Sequence, residues 1–92
     1  MIITISAFGS FNKYFGGNAK VELSDAANLK EALADMAAQY PAGSELLFDK
    51  DGSIRRHVII QVNKKRITVS KAEEVILKDG DEVIIYPPVS GG

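Results

Sequence analysis

Most residues of this sequence with the right chemistry stand without the neighbours that chemistry needs. His57 is the sole histidine and there is no cysteine. A metal shell cannot be completed around it, and disulfides, thiolate zinc sites and a cysteine nucleophile are excluded. His57 therefore reads as a structural or exposed residue at the start of a strand. Asp49-Lys50-Asp51-Gly52 opens like a calcium loop, but Ser53-Ile54-Arg55-Arg56-His57 follows in place of the later carboxylates, so the stretch is a turn. Gly16-Gly17-Asn18 has no following lysine–hydroxyl pair and is not a phosphate-binding loop. Glu73-Glu74 and Asp79-Gly80-Asp81-Glu82 gather carboxylates with nothing apolar nearby to raise a pKa for acid–base work. They read as a solvated acidic face, which is compatible with a charged docking patch.

What remains is the end of the chain, YPPVSGG, from Tyr86 to Gly92. If the protein does chemistry, the group is the α-carboxylate of Gly92. Pro87-Pro88 favours an extended polyproline arm with little entropy left to lose. At about 3.3 Å per extended residue, residues 87–92 reach roughly 20 Å beyond a sheet. Gly91 and Gly92 carry no Cβ, so the end can pass a narrow channel and adopt any backbone angle a partner demands. The carboxyl carbon of Gly92 is open to a nucleophile. The competing reading is an ordinary domain that happens to end in two glycines.

The elements that must position this arm come from periodicity. Ile3, Ile5 and Ala7 share one face of a strand over residues 2–8, opposite Ile2, Thr4, Ser6 and Phe8. Gly16-Gly17 reads as a turn into a second strand in which Ala19, Val21 and Leu23 alternate with Lys20, Glu22 and Ser24. Leu29, Ala32, Leu33, Met36, Ala37 and Tyr40 form one helical stripe. Asn28 and Glu31 make a capping box at its start, and Pro41 ends it. Residues 42–56 are less regular, with a short helical turn at Leu46-Leu47-Phe48. Val58, Ile60 and Val62 make a third strand, and residues 66–69 a fourth after a turn at Asn63-Lys64-Lys65. Val83-Ile84-Ile85-Tyr86 reads as a strand covered on both faces, ended by the prolines.

The order β-β-α-β-β-β predicts an α+β fold: one mixed sheet with one main helix across one face. Its domain spans residues 1–86, with residues 87–92 as a flexible diglycine tail. The expected core is Ile3, Ile5, Val21, Leu23, Leu29, Leu33, Met36, Val62, Val83 and Ile85. Phe8, Ile59, Ile84 and Tyr86 fall on the opposite strand positions and would form an apolar docking surface at the root of the tail, unless residues 42–56 cover it.

A chain of 92 residues makes one domain, burying about 60–65% of its unfolded surface and leaving no room for an internal active-site cavity. Its net charge of −1 gives no electrostatic footprint for nucleic acid or an anionic membrane. The longest basic run, Lys64-Lys65-Arg66, reads as a solvated hairpin tip. The opening MIITISAF is too short and polar for a signal peptide, and no stretch is long enough to span a bilayer. A cytoplasmic location is expected.

DGDEVIIYPPVSGG, from Asp79 to Gly92, resembles the C-terminal signature of the ubiquitin-like β-grasp sulfur carriers, the MoaD/ThiS family. Within that family it looks most like the small subunit of molybdopterin synthase. The opening strand reaching Phe8-Gly9, then Phe11-Asn12-Lys13, fits with modest departures. The longer middle, YPAGSELLFDKDGSIRRHVIIQVN, is similar to that of the archaeal small modifier proteins, which also end in VSGG. The resemblance covers essentially the whole chain. It implies a non-catalytic carrier that binds no cofactor itself. An E1-like enzyme adenylates the Gly92 carboxylate with ATP and magnesium, and a sulfur donor then displaces AMP to leave a thiocarboxylate. In the synthase branch the tail, Pro87, Pro88, Val89, Ser90, Gly91 and Gly92, inserts into the large subunit, and its sulfur goes into the dithiolene of molybdopterin. In the modifier branch the activated carboxyl forms an isopeptide bond to a lysine of a target protein. A thiamine-biosynthesis carrier is a further branch, which the longer middle and the PPVSGG ending fit less well.

Overall fold

The alternation along the first strand decides how the sheet is laid down. In the computed structural model, which describes residues 1–22 and 27–87, β1 (Ile2–Ala7) sends Ile3, Ile5 and Ala7 inward, all three buried. β2 (Asn18–Glu22) runs antiparallel to β1, with Ile3 opposite Val21. On the other side of β1 lies β5 (Glu82–Tyr86), parallel to it, with Ile5 opposite Val83 and Ala7 opposite Ile85. β3 (Ile59–Val62) pairs antiparallel with β5 and β4 (Lys65–Ile67) antiparallel with β3, giving the order β2-β1-β5-β3-β4. The architecture is the expected α+β mixed sheet.

The main helix, α2 (Leu29–Gln39), lies across the inner face and buries Leu29, Ala32, Leu33, Met36 and Ala37. The capping box is present as predicted. The Asn28 side chain accepts from the Glu31 N–H at 2.9 Å, and the Asn28 N–H donates to the Glu31 carboxylate at 2.9 Å. Pro41 ends α2 and also begins α3 (Pro41–Leu47), since a proline at the first helical position lacks only an N–H that would be unpaired there anyway. The helical turn expected at residues 46–48 is thus the end of a seven-residue helix.

Three elements depart from the sequence reading. Gly16 closes a helix, α1 (Phe11–Phe15), from a left-handed φ of +71°, where the sequence suggested a hairpin turn. Its N–H donates to the Asn12 carbonyl, and Phe11 and Phe15 of this helix are fully buried. α1 and α3 pack so closely that a Cβ on Gly43 would sit 2.7 Å from Phe15 Cζ, which is why glycine stands there. The fourth strand stops at Ile67, and a 3-10 helix (Val69–Glu74) follows. The turn before β4 needs only Asn63 and Lys64, both at positive φ, as a two-residue hairpin loop requires.

Of the expected core, Ile3, Ile5, Val21, Leu29, Leu33, Met36, Val83 and Ile85 are buried. Val62 is half-buried at the rim, and Leu23 lies outside the described residues. No polar side chain is buried among the described residues, and no helix among them is long and apolar enough to cross a membrane.

Candidate functional site

β5 carries the chain from the core to the root of the tail, so its two ends define the site. Its start is held by carboxylates and an amide rather than by packing. Asp79 accepts the Ile2 N–H at 2.7 Å, and Asp81 accepts the Lys78 N–H at 2.7 Å and the Asn63 side-chain amide at 2.9 Å. Asn63 in turn accepts the Glu82 N–H at 3.0 Å. Gly80, at φ +86°, makes the turn between the two aspartates and donates to the Ile2 carbonyl. The acidic cluster at residues 79–82 is therefore mainly a backbone clamp that fixes the register of β5 against β1 and β3. Asp79 and Glu82 remain exposed, so the cluster is also the solvated face read from the sequence. Asp-Gly-Asp before a strand was the available signal, and Asn63 gave none.

The far end of β5 is built from rings. Strand alternation turns Ile84 and Tyr86 away from the core, half-buried rather than covered as the sequence suggested. Phe8 stacks on Tyr86 with ring centroids 5.2 Å apart and planes 17° from parallel, and Phe8 remains 44% exposed. Such a pair is worth about 0.5–1.5 kcal/mol beyond its burial. The backbone supports it, because the Phe8 N–H donates to the Ile85 carbonyl at 3.0 Å. Ile59 lies opposite Tyr86 on β3. Ile84 sits two residues back, flanked by Ser6 and Gln61. The structure thus places Phe8, Tyr86 and Ile59 side by side, with Ile84 next to Tyr86 along the same face of β5. Residues 42–56 do not close over this face. Leu47 and Ile54 from that segment enter the core.

Pro87 follows the cluster and lines a groove with Ser10, Phe11, Leu46, Arg56, His57 and Val58. His57 is exposed in the turn before β3, and not on a strand as the sequence suggested. Arg55 at the same groove is committed to Asp49 at 3.0 Å and to the Glu45 carbonyl at 2.7 Å. The turn read at residues 49–52 is present. The Ser53 N–H donates to Asp51 at 3.0 Å and, with the Ser53 side chain, holds that carboxyl below its usual range. Glu73 pairs with Lys30 at 3.1 Å and Glu74 with Lys71 at 3.5 Å, exposed pairs of small individual worth. Among the described residues no cluster of three or more His, Cys, Asp or Glu could hold a metal ion.

Pro88, Val89, Ser90, Gly91 and Gly92 lie outside the described residues. The chain matches the ThiS family over residues 5–92. It is 33% identical to the sulfur carrier protein CysO of Mycobacterium tuberculosis over 94 residues, covering all of both chains. It is 32% identical to the molybdopterin synthase sulfur carrier subunit of Chlamydomonas reinhardtii over 93 residues, again covering both completely. Its fold superimposes on the crystal structure of SAMP1 from Haloferax volcanii with a TM-score of 0.89, at 25% identity and full coverage of both chains. Those neighbours make the mixed sheet and its crossing helix a ubiquitin-like β-grasp. Matched through Gly92 in sequence and across every strand in structure, the chain belongs to the ThiS family of ubiquitin-like sulfur carriers.

Proposed function

We propose that this chain is the sulfur-carrying small subunit of a molybdopterin synthase. The observation that carries the reading is the family match running through Gly92, together with full-length similarity to a synthase carrier subunit. An E1-like enzyme, using ATP and magnesium, binds the domain. The Gly92 carboxylate attacks the α-phosphate, pyrophosphate leaves, and a sulfur donor displaces AMP to give the thiocarboxylate. Phe8, Tyr86 and Ile59, with Ile84 behind them, dock on the large subunit. Pro87, Pro88, Val89, Ser90 and Gly91 then thread the sulfur to the pterin precursor. The chain itself is a co-substrate and not a catalyst, and it works in the cytoplasm.

A second reading has its own support in the fold match to SAMP1. Here the same adenylate is attacked by a lysine of a target protein, and the carrier becomes a tag. Intact-protein mass spectrometry on chain isolated from its native cells separates the two. Oxygen-to-sulfur exchange at Gly92 supports the carrier, and lysine-linked conjugates support the tag. Deleting Gly91 and Gly92, or appending one alanine, is expected to abolish ATP–pyrophosphate exchange with the cognate E1-like enzyme and leave the melting curve unchanged. An alanine-extended chain adenylated at the wild-type rate sinks both readings together.

A further inference from the structure

The chain leaves β5 through Pro87, and the way it leaves is set by a residue 78 positions away. Gly9 adopts a left-handed φ of +61°. A Cβ built on it would lie 2.9 Å from Pro87 Cγ and 3.0 Å from Pro87 Cδ. Contacts that short are not tolerated, so one of the two partners has to move. Pro87 cannot move as an ordinary side chain does. Its Cδ is bonded to its own backbone nitrogen, so displacing the ring displaces the main chain. Ring pucker relieves part of the Cγ contact and almost none of the Cδ contact.

The surroundings leave Pro87 few other routes. Immediately before it, Tyr86 is stacked on Phe8, and the Ile85 carbonyl is bonded to the Phe8 N–H. Immediately after Gly9, the chain enters α1, whose Asn12 N–H donates to the Gly9 carbonyl at 3.1 Å. Phe8 and Gly9 therefore hold consecutive residues of β5's end by two different means, one by attraction and one by vacating space. Gly16 provides the internal contrast. It is also left-handed, at +71°, but a Cβ there would have nothing within 4 Å.

We propose that Gly9 is a positioning residue for the tail: the space left by its missing Cβ seats the Pro87 ring and fixes the direction in which the chain leaves the sheet. This rests on the carrier reading in so far as that direction aims the terminus at the E1-like enzyme. The seat itself is a property of the free protein. An alanine at position 9 pushes the Pro87 backbone by a few tenths of an ångström. That displacement falls at the root of the tail, so it changes where the docked domain delivers the segment that carries Gly92. Misplacement of a reacting group by about 1 Å can cost a hundredfold in rate.

The test compares Gly9→Ala with Gly16→Ala, which share the left-handed backbone penalty and differ only in the collision. Steady-state ATP–pyrophosphate exchange is measured for both, and again in a Pro87→Ala background. Gly9→Ala is expected to slow kcat/KM about tenfold or more, and Gly16→Ala less than about twofold. With the Pro87 ring gone, adding Gly9→Ala is expected to cost less than about twofold further. Equal losses for the two glycine variants, or a fully additive cycle, overturn the proposal. In the free protein, nuclear Overhauser contacts between Gly9 Hα and the Pro87 ring protons are expected in the wild type. Their absence from the wild type also overturns it. A wild-type chain that shows those contacts but is never adenylated refutes the carrier reading and leaves the seat established.

Discussion

The two ends of β5 are held by opposite kinds of force. At its start, Asp79, Asp81 and Asn63 bind backbone N–H groups and one another through directional hydrogen bonds near the surface. At its finish, Phe8 and Tyr86 stack and the Pro87 ring fills the space beside Gly9. Hydrogen bonds with fixed partners set register, because a strand slipped by one residue would leave them all unmade. Ring contacts hold an apolar end in place and still leave it open to a partner. The strand is fixed at one end so that it can be presented at the other.

The contrast can be broken in order of expected effect. Leu33→Ala empties the centre of the core and is expected to cost about 2–5 kcal/mol, bringing down both ends in one transition. A loss below about half a kcal/mol in urea unfolding would show that α2 does not hold the sheet. If the proposed synthase role holds, Phe8→Asp is expected to abolish binding to the large subunit, a loss of at least about 2 kcal/mol for a central aromatic anchor. Because Phe8 is 44% exposed, its melting temperature is expected to stay close to wild type. Isothermal titration alongside a melt decides, and an unfolded variant would place Phe8 in the core instead.

Asp81→Ala does the reverse. It strips two donors of their acceptor and is expected to lower stability by about 1–3 kcal/mol. Binding by the fraction that remains folded is expected to be unchanged, and weaker intrinsic binding would mean that the two ends are not separable. The smallest effect is expected at the β3–β4 turn. Lys64 sits at φ +70°, a conformation that favours glycine, so Lys64→Gly is expected to gain about half a kcal/mol. A destabilised variant would show that the lysine side chain contributes more than its backbone strain removes.

Much of this was legible beforehand, for identifiable reasons. α2 has eleven residues and an unbroken apolar stripe, so its periodicity rose above local noise, and its cap was written in Asn28 and Glu31. α1 has five residues and two buried positions, too short a stretch for periodicity to separate from a loop, and Gly16 fits a hairpin turn as well as a helix end. The outward set on the strands was readable from alternation alone. That Ile84 would have Ser6 and Gln61 as its cross-strand neighbours was not, because it depends on which strands pair and in what register. The Gly9 seat was invisible for the same reason. Nothing near Gly9 in sequence mentions Pro87.

The parallel pairing of β1 with β5 has a consequence for how the protein is born. β5 is the middle strand, and without it the sheet falls into two unconnected strand pairs, β1–β2 and β3–β4. Emerging from a ribosome, the chain cannot complete its sheet until Tyr86 has cleared the exit tunnel, and its most distant contacts close last. The strand that finishes folding is the one that carries the tail. Structural completion and the presentation of the tail's root are thus one event, and a half-made chain has no assembled Phe8–Tyr86 face.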